Sequence, residues 1–127
     1  MPVRTWIALP SLLIRMRVRI NQLLLKINFS GGQFCKFMQE TTNRLDRLHV
    51  PVITRVNGVA YGGGSELSTI GDIRIASPNT KVAFVHKKMA LQPGWGGASR
   101  LIHLVGRQTA AELFLTARVV SSDELLK

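Results

Sequence analysis

Three consecutive glycines, Gly62-Gly63-Gly64, constrain this chain more than any other stretch. An apolar run of Val50, Val52, Ile53 and Val56 precedes them, broken by Pro51, Thr54 and Arg55. That run reads as a strand of mixed burial over 51–57. After the glycines, Ser65-Glu66-Leu67-Ser68-Thr69-Ile70 reads as a short helix that stops near Gly71. A strand that turns through bare glycines into a helix leaves N–H groups unpaired and lets a ligand approach the main chain closely. Such a turn suits a developing negative charge, an oxyanion above all. On the glycines alone, a tight turn without a ligand is the commoner use.

The other elements fall on either side of this turn. Phe34, Phe37, Met38, Thr41, Leu45 and Leu48 lie near helical spacing, with Gln39, Glu40, Asn43, Arg44 and Arg47 turned outward, which predicts a helix over 34–49. Pro51 limits its continuation. Asp72 to Ala76 and Lys81 to Val85 read as two more strands, separated by the turn Ser77-Pro78-Asn79-Thr80. A loop through Lys87, Lys88, Gln92, Pro93, Gly94, Trp95, Gly96 and Gly97 leads into helices near 98–105 and 107–116, then a short extended piece at Val119-Val120. Ser121-Ser122-Asp123-Glu124 matches a capping box, with Lys127 only three residues on. The expectation is that the sequence ends inside an element that was once longer.

Residues 1–33 differ from the rest. Ile14, Met16, Val18 and Ile20 alternate with Arg15, Arg17, Arg19 and Asn21, which predicts a strand near 13–20 and a second apolar piece near 23–29. No acidic residue occurs before Glu40. A basic, acid-free start is shared with organelle transit peptides, but serine is sparse and no cleavage site stands out. The expected compartment is the cytoplasm, with the mitochondrion as the alternative. At 127 residues the chain is about one domain, and its net charge of +10 suits a phosphate-bearing ligand, an anionic surface or nucleic acid. The Arg15-Arg17-Arg19 ladder lacks the interleaved aromatics of a single-strand platform, which disfavours nucleic acid. Apolar stretches are broken by Arg or Lys well before ~18 residues, so no membrane span is read. Cys35 is the single cysteine, and it has no disulfide partner within the chain. His49, His86 and His103 with that one cysteine satisfy no zinc pattern. Taken singly, each of these histidines and Glu66 is read first as structural or solvated.

From about Cys35 onward, the chain resembles the crotonase superfamily, the enoyl-CoA hydratase/isomerase group. An ordered series carries the resemblance. Pro51-Val52-Ile53 leads to Asn57-Gly58, then Gly62-Gly63-Gly64-Ser65-Glu66-Leu67 and Asp72-Ile73-Arg74-Ile75-Ala76. Pro93-Gly94-Trp95-Gly96-Gly97-Ala98-Ser99-Arg100-Leu101 follows, with Gly106, Ala110-Ala111-Glu112 and Thr116 in register. Phe37-Met38-Gln39, Phe84-Val85-His86-Lys87-Lys88-Met89 and Trp95 resemble most the branch that decarboxylates ethylmalonyl-CoA and methylmalonyl-CoA.

The resemblance implies an α/β fold, a crotonase-like ββα spiral of which 34–127 would be the middle portion, with 1–33 a separate basic segment. It implies an acyl-CoA thioester as substrate, so that coenzyme A enters with the substrate and no separate cofactor is needed. It implies trimers or hexamers in complete members; the C-terminal helices that make those contacts have no counterpart here, which leaves assembly open. It makes Gly63 N–H one of two donors to the thioester oxygen. The second donor belongs to an upstream motif of which Asn28-Phe29-Ser30-Gly31-Gly32 is a faint echo. Glu66 matches the first catalytic glutamate of the hydratases, and His86 falls where they carry their second. Tyr61, Gly62, Val85, Met89 and Pro93 flank these positions as expected substrate-binding residues. Lys81, Lys87, Lys88 and Arg100 are candidates for the phosphates, with solvated surface the default for each. Hydration uses two carboxylates on one water, which His86 breaks. Loss of CO2 from a malonyl-type thioester needs a site for the enolate oxygen and a proton for the α-carbon, and a histidine can serve that chemistry. Three readings follow: a decarboxylating acyl-CoA enzyme, a hydratase or isomerase of the same superfamily, or an inactive shortened form.

Overall fold

The structure, a computed structural model, describes residues 30–125. The strand expected near 13–20, the piece near 23–29 and the first residues of the basic segment lie outside them. Helix α1 spans Gly31–Asp46. It begins three residues before the expected start because Ser30 and Gln33 form a capping box that the sequence pattern had not suggested. The Ser30 hydroxyl accepts from Gln33 N–H at 3.4 Å, and Gln33 Oε1 accepts from Ser30 N–H at 2.9 Å. The face that α1 turns inward also differs. Met38 and Thr42 are buried, whereas Phe37 and Leu48 are exposed.

Two strands follow where one was expected. β1 is Ile53–Val56 and β2 is Val59–Tyr61. Asn57 and Gly58 separate them, and Gly58 turns the corner with φ +109°, a conformation that L side chains rarely adopt. The two strands therefore enter different sheets. α2 is Gly63–Ser68, after which β3 (Ile73–Ala76) lies parallel to β1, with Ile53 opposite Ile73. β4 (Lys81–Ala83) lies parallel to β2, with Ala60 opposite Val82. Each circuit lays one strand in each of two sheets and closes with a helix, which is the expected ββα spiral.

β4 ends at Ala83, two residues before the expected limit. Phe84 starts a 3₁₀ turn over Val85–Met89, and Ala90 closes it in the left-handed region at φ +53°. This turn occupies what was expected to be the end of a strand and the start of a loop. It carries His86 inward, to 6% exposure. Helix α3 then runs Gly97–Thr116 with a break at Gly106 (φ +79°, ψ +162°), where the sequence places a boundary between two helices. β5 (Val120–Ser121) pairs antiparallel with β4, and α4 is Ser122–Leu125. Ser121 sits in β5. Glu124 takes the Arg118 guanidinium at 2.6 Å, and Ser122 donates to Pro78 O at 2.8 Å.

The core lies between the second sheet and α3. Ala60, Val82, Phe84, Leu101, Ala110, Leu113 and Val120 form it, with Phe84 edge-on to Phe114 at 5.0 Å. Burial of these side chains stabilises by roughly 1.5–3 kcal/mol for each large one. It seats α3 on β4 and on Phe84, from which the 3₁₀ turn departs. Among the described residues, no helix is long and apolar enough to cross a membrane.

Candidate active site

The glycine triplet closes β2 onto α2. Gly62 takes φ +55°, ψ −122°, and its N–H donates to Ala83 O at 3.2 Å, so the turn is stitched to the end of β4. Gly63 is the first residue of α2, where an N–H has no partner within the helix. Among the described residues, none outside the helix takes it either. A Cβ built on Gly63 would meet Trp95 Cη2 and Cζ3 at 2.3 Å. The indole thus occupies the space a side chain at 63 would need.

Glu66, one turn along, is 1% exposed. Its Oε2 accepts from Trp95 N–H at 2.8 Å and Gly97 N–H at 2.9 Å. Its Oε1 accepts from Gly94 N–H and from His86 Nε2, both at 3.1 Å. A carboxylate offers about four lone-pair directions, and all are in use. The expected acid–base role at Glu66 therefore meets an obstacle: a proton transfer there first breaks one of these bonds. The loop can wrap so closely because Gly94 and Gly97, which bond the carboxylate, lack side chains. A Cβ on Gly97 would lie 2.5 Å from Glu66 Cγ.

His86 is held by the same carboxylate. Paired with a carboxylate, Nε2 is the donating nitrogen. Nδ1 is buried and has no hydrogen-bond partner among the described residues. A buried polar atom left unpaired costs about 1–3 kcal/mol, a cost met elsewhere at functional positions.

The expected substrate-binding residues divide into two groups. Val85 and Met89 come to the triplet, their Cγ2 and Cε lying 3.8 and 4.0 Å from a Cβ built on Gly62. Tyr61 ends β2 with 41% exposure, and Pro93 is half-buried directly before Gly94. The expected phosphate ligands are less uniform. Lys81 and Lys88 are exposed. Lys87 Nζ donates to Leu115 O at 2.7 Å, near the C-terminal end of α3. Arg100 does not lie on a solvated surface. Its guanidinium donates to Trp95 O at 2.7 Å and Thr69 Oγ1 at 3.0 Å, and meets Asp46 at 3.5 Å. His49 and His103 are exposed. Cys35 packs on the loop, its Sγ 2.5 Å from a Cβ built on Gly94.

Sequence reasoning missed the support that α1 gives the loop. Thr42 Oγ1 donates to Trp95 O at 3.1 Å, and Gln39 Nε2 donates to Gly94 O at 2.8 Å. Phe34 meets the Trp95 ring edge-on at 5.7 Å. The signal for this was a threonine on the inward side of an amphipathic helix, one residue from the position assigned to that face.

The enoyl-CoA hydratase/isomerase family model matches residues 28–127. Ethylmalonyl-CoA decarboxylase from Gallus gallus is 44% identical over 96 residues, covering 76% of this chain and 32% of that protein. The Xenopus laevis protein of the same name is 43% identical over 97 residues, with the same coverage of 76% and 32%. The crystal structure of a putative enoyl-CoA hydratase from Thermobifida fusca YX in complex with acetoacetyl-CoA matches with a TM-score of 0.70 at 34% identity, covering 74% of this chain and 37% of that one. The chain spans about a third of the length of the curated relatives it matches. The glycine turn, the spiral register and these matches agree, and the chain belongs to the enoyl-CoA hydratase/isomerase family.

Proposed function

We propose that this chain carries part of the site of an acyl-CoA decarboxylase acting on ethylmalonyl-CoA and methylmalonyl-CoA. The carrying observation is the buried Glu66–His86 pair. Hydration needs two carboxylates poised on one water, but here one carboxylate has every lone pair engaged and a histidine stands at the second position. Decarboxylation needs neither. The bond between the α-carbon and the carboxylate breaks, CO2 leaves, and its electron pair enters the thioester to form an enolate. Gly63 N–H donates to the enolate oxygen. One proton then reaches the α-carbon, so each CO2 released consumes one proton. A donor aimed at charge that grows in the transition state supplies about 2.7–4 kcal/mol. The names of the curated relatives favour the same reading.

The test uses ethylmalonyl-CoA and crotonyl-CoA, following butyryl-CoA and hydrated product. Gly63→Pro removes the N–H at a first helical position, where proline is conformationally suited. Gly63→Ala introduces a similar clash with Trp95 but keeps the N–H, so the comparison between the two isolates the donor. We expect butyryl-CoA from the parent chain and a further loss of roughly 10²–10³ in kcat for the proline variant relative to the alanine one. Hydration of crotonyl-CoA without butyryl-CoA formation would reject the assignment, as would silence toward both thioesters from a folded chain. The cytoplasm is the proposed compartment, and recovery of the protein in the mitochondrial fraction would reject that.

A further inference from the structure

We propose that Trp95 sets the size of the α-substituent the site accepts, and that Glu66 is the positioning residue that holds Trp95 in place. The inference rests on the reading of Gly63 as the oxyanion donor. A thioester oxygen accepting from Gly63 N–H lies roughly 3 Å from that nitrogen, which brings the substrate's α-carbon within roughly 5 Å of it. The indole's six-membered edge already fills the volume beside the Gly63 Cα, with Cη2 and Cζ3 only 2.3 Å from where a Cβ would stand. Groups on the α-carbon therefore meet an aromatic wall.

That wall is fixed on several sides. Trp95 N–H donates to Glu66 Oε2 at 2.8 Å, and its carbonyl accepts from Arg100 at 2.7 Å and Thr42 at 3.1 Å. Phe34 meets the ring edge-on, with an interplanar angle of 83°. A side chain pinned at backbone and ring discriminates by size, because it cannot retreat without breaking these contacts. Glu66 enters the same device from α2. Its carboxylate binds the loop on both sides of Trp95, at Gly94 and Gly97, so its charge ties the wall to the helix that begins with Gly63.

The experiment compares kcat/KM for methylmalonyl-CoA, ethylmalonyl-CoA and propylmalonyl-CoA in the full chain and in Trp95→Leu and Glu66→Gln variants. One methylene in a hydrophobic pocket changes discrimination by roughly 10- to 200-fold. Trp95→Leu is expected to raise the propylmalonyl to methylmalonyl ratio by roughly tenfold or more. Glu66→Gln is expected to move that ratio in the same direction, whereas a purely structural role would lower all three rates together. A second measurement leaves Trp95 intact. In a Trp6→Phe background Trp95 is the single tryptophan, and its emission is expected to change as butyryl-CoA saturates the site. An unchanged ratio in both variants overturns the inference while leaving the decarboxylase reading in place. Calorimetric saturation by butyryl-CoA without any change in Trp95 emission does the same. Absence of both binding and turnover with every thioester overturns that reading, and this inference with it.

Discussion

Replacing Glu66 with glutamine tests the clamp at its centre. The carboxylate accepts four hydrogen bonds, two on each oxygen, from Gly94, Trp95, Gly97 and His86. An amide has one oxygen, so the glutamine side chain keeps two of these bonds and turns an NH2 group toward the other two donors. Hydrogen bonds to a charged group contribute about 1.5–3 kcal/mol each, so two lost bonds amount to about 3–6 kcal/mol. Two effects reduce this. Gly94 and Trp95 N–H are only part-buried and can turn to water, and the neutral amide loses less hydration on burial than a carboxylate. We expect a net loss of about 3 kcal/mol, at the lower end of that range. Urea denaturation followed by circular dichroism measures it, and hydrogen exchange locates it at the amides of residues 94, 95 and 97. A Glu66→Gln protein within about 0.5 kcal/mol of the parent, the range of an ordinary surface change, with those amides equally protected, would refute the clamp.

Four further outcomes follow from the geometry. Gly63→Ala overpacks against Trp95 and is expected to lose about 1–3 kcal/mol, with Trp95→Phe restoring part of it in the double variant, as a denaturation cycle can show. Gly94→Ala drives a methyl group into Cys35 Sγ, and Cys35→Ala is expected to relieve it; equal losses with and without Cys35 would contradict the contact. The Arg118 guanidinium holds the exposed Glu112 carboxyl below its ordinary value of 4.5. A depressed carboxyl contributes stability above its unfolded pKa and loses it as pH falls through the lower folded value. The difference in melting temperature between the parent and Arg118→Gln should therefore shrink as pH drops below 4.5, and a constant gap would exclude the linkage. His86→Glu would remove the Nε2 donor and put a second carboxylate within hydrogen-bonding reach of buried Glu66, so that variant should be less stable than the parent in urea denaturation, with no gain of crotonyl-CoA hydration.

The spiral was legible through the family resemblance, whose ordered series contains residues that its corners need. The glycine triplet, Gly58 and the break at Gly106 each mark a place where the chain takes a conformation that side chains resist. Strand periodicity located β1, β3 and β4, with Ile53 and Ile73 in matching places of successive circuits, but it missed the three-residue β2 that pairs Ala60 with Val82. Periodicity was less informative where local and distant forces compete. Phe84 and Val85 have strand-like side chains, yet the chain enters a 3₁₀ turn there because His86 binds Glu66, twenty residues earlier in sequence. α1 is inclined toward the loop by Thr42 and Gln39, whose partners lie more than fifty residues away. Arg100 looked like a surface cation because nothing in sequence announces the Trp95 and Thr69 oxygens that receive it.

The histidine at position 86 is more than the absence of a second glutamate. Two carboxylates at that separation in a buried site cannot both remain ionised, so a proton would have to be shared between them. A shared proton suits an enzyme that moves protons on and off water. Histidine instead brings an N–H to Glu66, whose carboxylate accepts from three backbone groups as well. The loop then closes around a fixed carboxylate, and Trp95 stands beside Gly63. Two features that stand apart in sequence are thereby joined: the change at 86 and the tryptophan in the glycine loop. The first makes the carboxylate an anchor, and the second is held by that anchor beside Gly63.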